Sequence, residues 1–408
     1  MVLNKRKSAA EKADTPAAQE IGTVVVTVDR GLPDLPFLAL TVLLLAFGLI
    51  MMFSASYPAA STSADTNYNG AYYFNHQLIF ALVGLAAMLV IAYLSPLYSL
   101  LKHFARMVML TSIGLLIIVL FYGVITNGSR RWLPLGFTDF QPSEIAKAAV
   151  VLFFSAKAVA KGNHMKDFRS GCVYFLVILA VLAILMMLEP HLSGTVIIVT
   201  TGICMMLLGG TRVKHLLLTL GGLALPLILC YVIFGKIPFL QSYMQDRITA
   251  WRDPQANAGE TGYQIIQSLY AIGSGGLLGL GLGNSRQKYL YLPYAHNDYI
   301  FSVVCEELGF VGACVVILLF ALLILRGYYI AMLAEDRFQA LMAAGFTTLL
   351  AIQVFLNIGV VSNFLPSTGI SLPFFSYGGT ALLMTMAEMG VVLGVSREKK
   401  SSTRRRVS

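Results

Sequence analysis

The stretch LPYAHNDYIFSVVCEELGFVGACVVILLFALLIL, Leu292 to Leu325, opens as a polar bend and continues as an apolar run. From Tyr299 to Leu325 the run is long enough to cross a bilayer as a helix, which takes about 20 residues. Glu306 and Glu307 are the charges inside it, and His296, Asn297 and Asp298 stand at its start. A charge at the centre of a span costs roughly 3 kcal/mol on insertion scales. Acids placed here need a physical reason.

Runs of the same kind recur near residues 35–56, 73–94, 107–125, 171–188, 193–209, 213–234, 338–361 and 371–395. A weaker one, 144–160, is interrupted by Lys147 and Lys157. The chain is 57% hydrophobic and 12% charged, about half the charge of a soluble domain. A β-barrel would show short segments of period two instead of continuous runs. The pattern predicts an all-α polytopic membrane protein of about ten transmembrane helices, with a large extracellular loop between spans seven and eight.

Charge sets the expected orientation. With ten spans both termini share a side, and 21 of the 29 Lys and Arg residues fall on it. Basic residues collect on the cytoplasmic side, so residues 1–34 and 397–408 read as cytoplasmic basic tails, the first of them disordered. Residues 35–396 form the membrane domain. The net charge of +9 is scattered over short loops, which disfavours a nucleic-acid partner. Cys172, Cys204, Cys230, Cys305 and Cys314 all lie in apolar spans, with neither disulfide nor metal-site spacing.

This topology puts residues 57–72, 126–143, 189–192, 235–298 and 362–370 outside. The 235–298 loop, 64 residues long, exceeds what a passive connection needs. Its stretch GYQIIQSLYAIGSGGLLGLGLGNSRQK is apolar but glycine-rich, and suits a re-entrant or interfacial segment. Gly279, Gly281 and Gly283 follow no strand of a βαβ unit, so they form no dinucleotide fingerprint. The chain also lacks the Gly-Lys-Ser/Thr ending of a phosphate-binding loop, and with it the motor of an ATP-driven transporter.

Polar residues gather on the outer side. Glu144 and Lys147 share a helix face and form either a local ion pair or the wall of a polar cavity. Arg130 and Arg131, beside Trp132, read as an interfacial anchor or as a clamp for a lipid-linked phosphate. Glu189, His191, Arg247, Arg252, Arg286, Lys288 and His296 lie on the same side. Asp298 is either a helix cap, a role Asn297 can fill equally well, or a functional acid. Glu306, Glu307 and the deep Glu388 read first as hydrogen-bonded structural acids.

The blocks GSRRW, QPSEIAK, EPHLSGT, GYQIIQSLYAIGSGGLLGLGLGNSRQK, LPYAHNDYIF, EELGFVG and LPSTGISLPFFSYGG resemble, in order, the signature blocks of the SEDS family (shape, elongation, division and sporulation). The resemblance covers about residues 35–397 and is greater to division-type and sporulation members than to elongation-type ones. It implies a peptidoglycan glycosyltransferase that polymerises lipid II on the outer face of the bacterial cell membrane, at the division septum. A class B penicillin-binding protein and other divisome proteins are the implied partners. It assigns the essential aspartate to Asp298. Arg130, Arg131, Glu144, Lys147, Lys288 and His296 are expected to bind pyrophosphate or sugar, and Glu306 and Glu307 to support them. Tyr294, Asn297, Thr380 and Ala381 depart from the family's usual residues.

The implied reaction inverts an α-linked donor to a β-1,4 bond. It needs a base for the acceptor hydroxyl and cations for the leaving pyrophosphate. Asp298 serves as base, as a sugar ligand, or as a ligand of a divalent cation (Mg or Mn). A lipid II flippase and a non-enzymatic division scaffold are the competing readings.

Overall fold

Asp34 begins the first membrane helix, α1 (Leu35–Thr62), by accepting the Phe37 amide at 3.0 Å, with Pro36 in the first turn. Proline suits that position because its missing N–H would have no helical partner there. The computed structural model describes residues 28–94, 97–126, 129–134, 139–219, 221–222, 242–257 and 259–400. The helices that follow are α2 (Tyr72–Tyr93), α3 (Leu97–Tyr122), α4 (Pro142–Lys161), α5 (Tyr174–Leu188) and α6 (Leu192–Gly209). Two helices inside the long loop come next, α7 (Ser242–Arg252) and α8 (Glu260–Ser274). Three helices close the described chain, α9 (Ile300–Leu333), α10 (Arg337–Val361) and α11 (Gly379–Val395).

Among the described residues, seven helical segments are long and apolar enough to cross a membrane. Helix α11, with 17 residues, is shorter, and α4 carries Glu144, Lys147, Lys157 and Lys161. The expected span 213–234 lies mostly outside the described residues, although 213–219 are helical. The last expected span, 371–395, becomes helical only at Gly379. Residues 371–378 are irregular and pack against the bend that holds Asp298.

Residues 28–34 and 397–400, assigned above to the tails, are folded back onto the bundle. Strand β1 (Val28–Arg30) pairs antiparallel with a C-terminal strand, Glu398–Lys400. The rest of both tails lies outside the described residues. The Arg326 guanidinium grips Asp34 through two bonds of 2.7 and 2.9 Å, and the Asp34 amide donates to Ser396 Oγ at 3.0 Å. Asp34 thus ties α1 to α9 and to the end of α11. Asp34→Ala removes a helix cap, which typically costs about 0.5–2 kcal/mol. A lowered thermal midpoint of the purified protein is the expected readout, and an unchanged midpoint would show the contact to be idle.

The opposite end of the bundle carries the irregular structure. After α3 the chain forms a small sheet of β2 (Val124–Thr126), β3 (Ser129–Pro134) and β4 (Asp139–Phe140), in the order β2-β3-β4. Helix α9 is broken near this end at Gly309, whose φ of 67° belongs to the left-handed region that favours glycine. The break frees backbone groups, and the glycine-rich segment takes them up. Leu280 and Gly281 donate to the carbonyls of Glu306 and Glu307, each at 2.9 Å. Phe310 and Val311 donate in turn to the carbonyls of Gly276 and Leu277, at 2.9 and 3.1 Å. A Cβ on Gly279 would collide with the Glu307 carbonyl, and one on Gly309 with the Gly279 amide. Two glycines therefore let the segment lie against a broken helix, which satisfies backbone groups that lipid would leave unpaired.

The side chains of Glu306 and Glu307 complete this junction. Glu306 accepts from Ser285 Oγ, from the Arg286 amide at 2.9 Å and from the Gln287 amide at 3.3 Å. Glu307 accepts from Ser54 Oγ of α1 at 2.7 Å, the Gly283 amide at 3.0 Å, the Ser285 amide at 3.3 Å and Lys288 Nζ at 2.8 Å. Lys288 also donates to Ser54 Oγ and to the Gly283 carbonyl. Lys288, expected to bind pyrophosphate or sugar, is enclosed here with its protons directed at protein acceptors.

Candidate active site

The bend 292–299 is held by its backbone. The Tyr377 amide donates to the His296 carbonyl at 2.9 Å, and Ser376 Oγ to the Asn297 carbonyl at 2.6 Å. Asn357 Nδ2 of α10 donates to the Asp298 carbonyl at 2.8 Å and to the Ile370 carbonyl at 2.6 Å. Three successive carbonyls are thereby fixed against α10 and the 362–378 loop. This frees the Asp298 side chain from structural duty. Helix α9 is capped by Tyr299 with no side-chain cap bond, so neither Asp298 nor Asn297 acts as its cap.

The carboxylate is walled in by Gly369, whose φ is 66°. A Cβ there would stand 3.0 Å from Asp298 Oδ2. Burial pushes the Asp298 carboxyl up to about 6, against the pull of the Arg247 and Arg131 guanidiniums. Arg247 comes from α7 and donates to the Ser367 carbonyl at 2.8 Å and to Ser367 Oγ at 3.2 Å. Trp251 of the same helix donates to the Asn363 carbonyl at 3.1 Å. Helix α7 is thus clipped over the 362–369 loop, with one arginine close enough to act on Asp298.

Arg131, the second cation acting on Asp298, comes from β3. Successive strand residues point to opposite faces. Arg131 is half-buried and donates to the Pro190 carbonyl, whereas Arg130 is exposed and reaches the Leu120 carbonyl at 3.4 Å. The structure therefore brings one member of the pair toward Asp298. Next to Arg131 lies the turn between α5 and α6. Burial pushes Glu189 up to about 8, although Arg131 opposes it, so this acid is mostly protonated at neutral pH. His191 is pushed down by burial and by the charges of Arg131 and Lys147, and stays neutral. Lys147 pairs with Glu144 at 2.7 Å, both side chains nearly enclosed at the start of α4. Glu388 of α11 is buried within electrostatic range of both.

Native interiors leave few polar atoms without partners. Here Arg131 Nε, Ser143 Oγ, Glu189 Oε1, His191 Nδ1 and Asn297 Oδ1 are all buried without one. Glu189 and His191 are linked electrostatically to Arg131, which also acts on Asp298, and their unmet bonds suit a polar ligand that would supply them. Among the described residues, no group of three or more His, Cys, Asp or Glu side chains could hold a metal ion. His296 packs its ring on Tyr73 and has a pKa pushed down to about 4 by burial, so it enters as a neutral ring.

A family profile described as "Cell cycle protein" (FtsW, RodA and SpoVE) matches residues 35–401. The chain belongs to the SEDS family, in its FtsW/SpoVE branch. This SEDS protein is 39% identical to stage V sporulation protein E of Bacillus subtilis, over 91% of this chain and 99% of that one. It is 36% identical to the "probable peptidoglycan glycosyltransferase FtsW" of Geobacter sp. strain M18, over 90% and 98%. In three dimensions it is similar to a chain of a peptidoglycan synthase complex solved for the coordination of polymerization and crosslinking. That likeness has a TM-score of 0.73 at 27% identity and covers 89% of this chain and 97% of that one. The rod shape determining protein RodA of Thermus thermophilus aligns with a TM-score of 0.63 at 26% identity, over 89% and 96%.

Among residues of this site, Arg247, Glu189 and His191 stand outside the expected set, although each was visible as an outer-side polar residue. Arg247 lies 51 positions before Asp298, and no local pattern links the two.

Proposed function

We propose that this SEDS protein is a peptidoglycan glycosyltransferase that polymerises lipid II, and that Asp298 is its general base. The observation that carries the base assignment is the Asp298 carboxyl, set close to Gly369, raised by burial and acted on by both Arg131 and Arg247. With a pKa near 6, Asp298 is ionised at neutral pH yet more basic than an ordinary aspartate. It takes the proton of the acceptor 4-hydroxyl as that oxygen bonds to the donor's anomeric carbon. The bond from that carbon to undecaprenyl pyrophosphate breaks, and the electron pair leaves with the pyrophosphate. Arg131 and Lys147 meet that growing negative charge, with Glu144 orienting Lys147. Arg130 stands further out, where it receives the lipid-linked phosphates. Glu306, Glu307 and Lys288 support the bend instead of touching substrate. A divalent cation would have to be held largely by the substrate's own pyrophosphate.

The reading extends to a ten-span domain with both termini in the cytoplasm and the site on the outer face, in the bacterial cell membrane at the septum. A class B penicillin-binding protein is the fitting partner, because a new strand must be crosslinked. The test uses the purified chain in detergent with lipid II, alone and with its cognate transpeptidase. A ladder of glycan strands on a gel is expected. No polymer under either condition would favour a flippase or a scaffold, since neither needs chemistry in a micelle.

Arg247 gives a sharper readout. A cation close to a carboxylate lowers its pKa by about 1–3 units, and Arg247 acts on Asp298 in that direction. Arg247→Gln is therefore expected to move the acid limb of kcat/KM about one unit toward alkaline pH. Arg247→Lys should move it less. An unmoved limb would separate Arg247 from the base.

A further inference from the structure

The outer end of α2 carries an aromatic cluster that the chemistry above does not use. Tyr73 stacks on His296, with ring centroids 4.8 Å apart and planes 27° apart. Tyr377 meets Tyr73 edge-on at 5.0 Å and also lies 6.1 Å from His296. Its hydroxyl is 3.2 Å from His76 Nδ1. Tyr72 meets Tyr73 at 5.4 Å and is 45% exposed, so the row runs from the Asp298 bend out to the surface. Asp65 lies within electrostatic range of Tyr73, and Asp139 of Tyr377.

Tyrosines at a membrane surface often serve only as interfacial anchors. Two features argue against that here. The rings pack on one another and on the bend that presents Asp298, instead of fanning outward. Two carboxylates within electrostatic range of them would repel phosphate headgroups. A neutral ring face bordered by carboxylates matches a sugar: the C–H face of a β-linked hexopyranose lies flat on an aromatic ring, and its hydroxyls donate to carboxylates.

We infer that Tyr72, Tyr73, His296 and Tyr377, with Asp65 and Asp139, form a subsite for the β-1,4-linked amino-sugar strand next to the reacting centre. This rests on the glycan-polymerising reading of the site. A strand must stay at the site between additions, and a row of rings running outward holds several sugars without reading one sequence of substituents.

The probe is a lipid-free tetrasaccharide of the glycan, its binding to the full-length protein in detergent followed by ligand-observed NMR. Strand length from lipid II is measured in parallel. Tyr72→Ala, at an exposed ring remote from the Asp298 backbone, is expected to weaken tetrasaccharide binding by about threefold to tenfold, as aromatic contacts of this size do. It should also shorten strands by more than it slows lipid II consumption. Tyr73→Phe, which keeps the stacking face, should bind nearly as the wild type does. Failure of the wild type to bind the tetrasaccharide, or wild-type binding and strand length in Tyr72→Ala, would overturn the subsite. Tetrasaccharide binding that is lost in Tyr72→Ala, in a wild type that makes no polymer, would instead overturn the polymerase reading and leave the sugar subsite standing.

Discussion

Replacing Asp298 with asparagine is expected to reduce lipid II polymerisation by about 100- to 10,000-fold, the usual effect of losing a general base. Asparagine keeps the size of the side chain, so the contact with Gly369 survives. The backbone bonds of residues 296–298 to Tyr377, Ser376 and Asn357 do not involve the carboxylate and should also survive. A folded, monodisperse but inactive protein is therefore the expected product. The wild-type pH profile makes the same point. Burial places the Asp298 pKa near 6, so the unprotonated, active fraction grows as pH rises through 6. kcat/KM should climb from pH 5 to 7 and then level off. The residual activity of Asp298→Asn should lack that limb. Wild-type polymerisation by Asp298→Asn on a glycan gel would remove Asp298 from the chemistry.

The membrane character of the chain was legible because apolar runs of helical length have few other uses, and Asp298 stood out at the lip of one. Less legible was which member of each charged group reaches the site. Arg130 and Arg131 are equivalent in composition; the alternation of β3 separates them, and sequence does not reveal which face turns inward. Lys288 looked like an outer cation because its partner Glu307 lies 19 positions later, at the depth of a broken helix. That break at Gly309 was itself hidden inside a continuous apolar run. Residues 371–378 show the reverse case. Their composition resembles a span, yet Pro373 has no amide to donate and Ser376 is committed to the Asn297 carbonyl and the Leu372 amide.

The second large effect concerns folding. Glu307→Ala should abolish most of the yield of folded protein. The Glu307 side chain is fully buried and that of Lys288 is 4% exposed. Removing one partner of a buried ion pair typically costs about 3–5 kcal/mol, because the other charge is left without compensation. Ser54 Oγ and the amides of Gly283 and Ser285 would lose their acceptor as well. Against a total stability of roughly 5–15 kcal/mol, that loss is decisive. The Lys288 charge is the larger part of the cost, so Glu307→Leu combined with Lys288→Met should recover much of the yield that either Glu307 single substitution loses. Glu307→Gln, which keeps an acceptor oxygen, should fall between the two. Detergent-soluble yield and the thermal midpoint measure all four proteins. If the double variant is no more stable than Glu307→Leu, the ion pair is not what holds the 275–288 segment. The junction would then rest on the bonds of the Glu306 carboxylate to residues 285–287 and on the backbone bonds between Gly276–Gly281 and Glu306–Val311, and Glu307 alone would again lack a reason to be there.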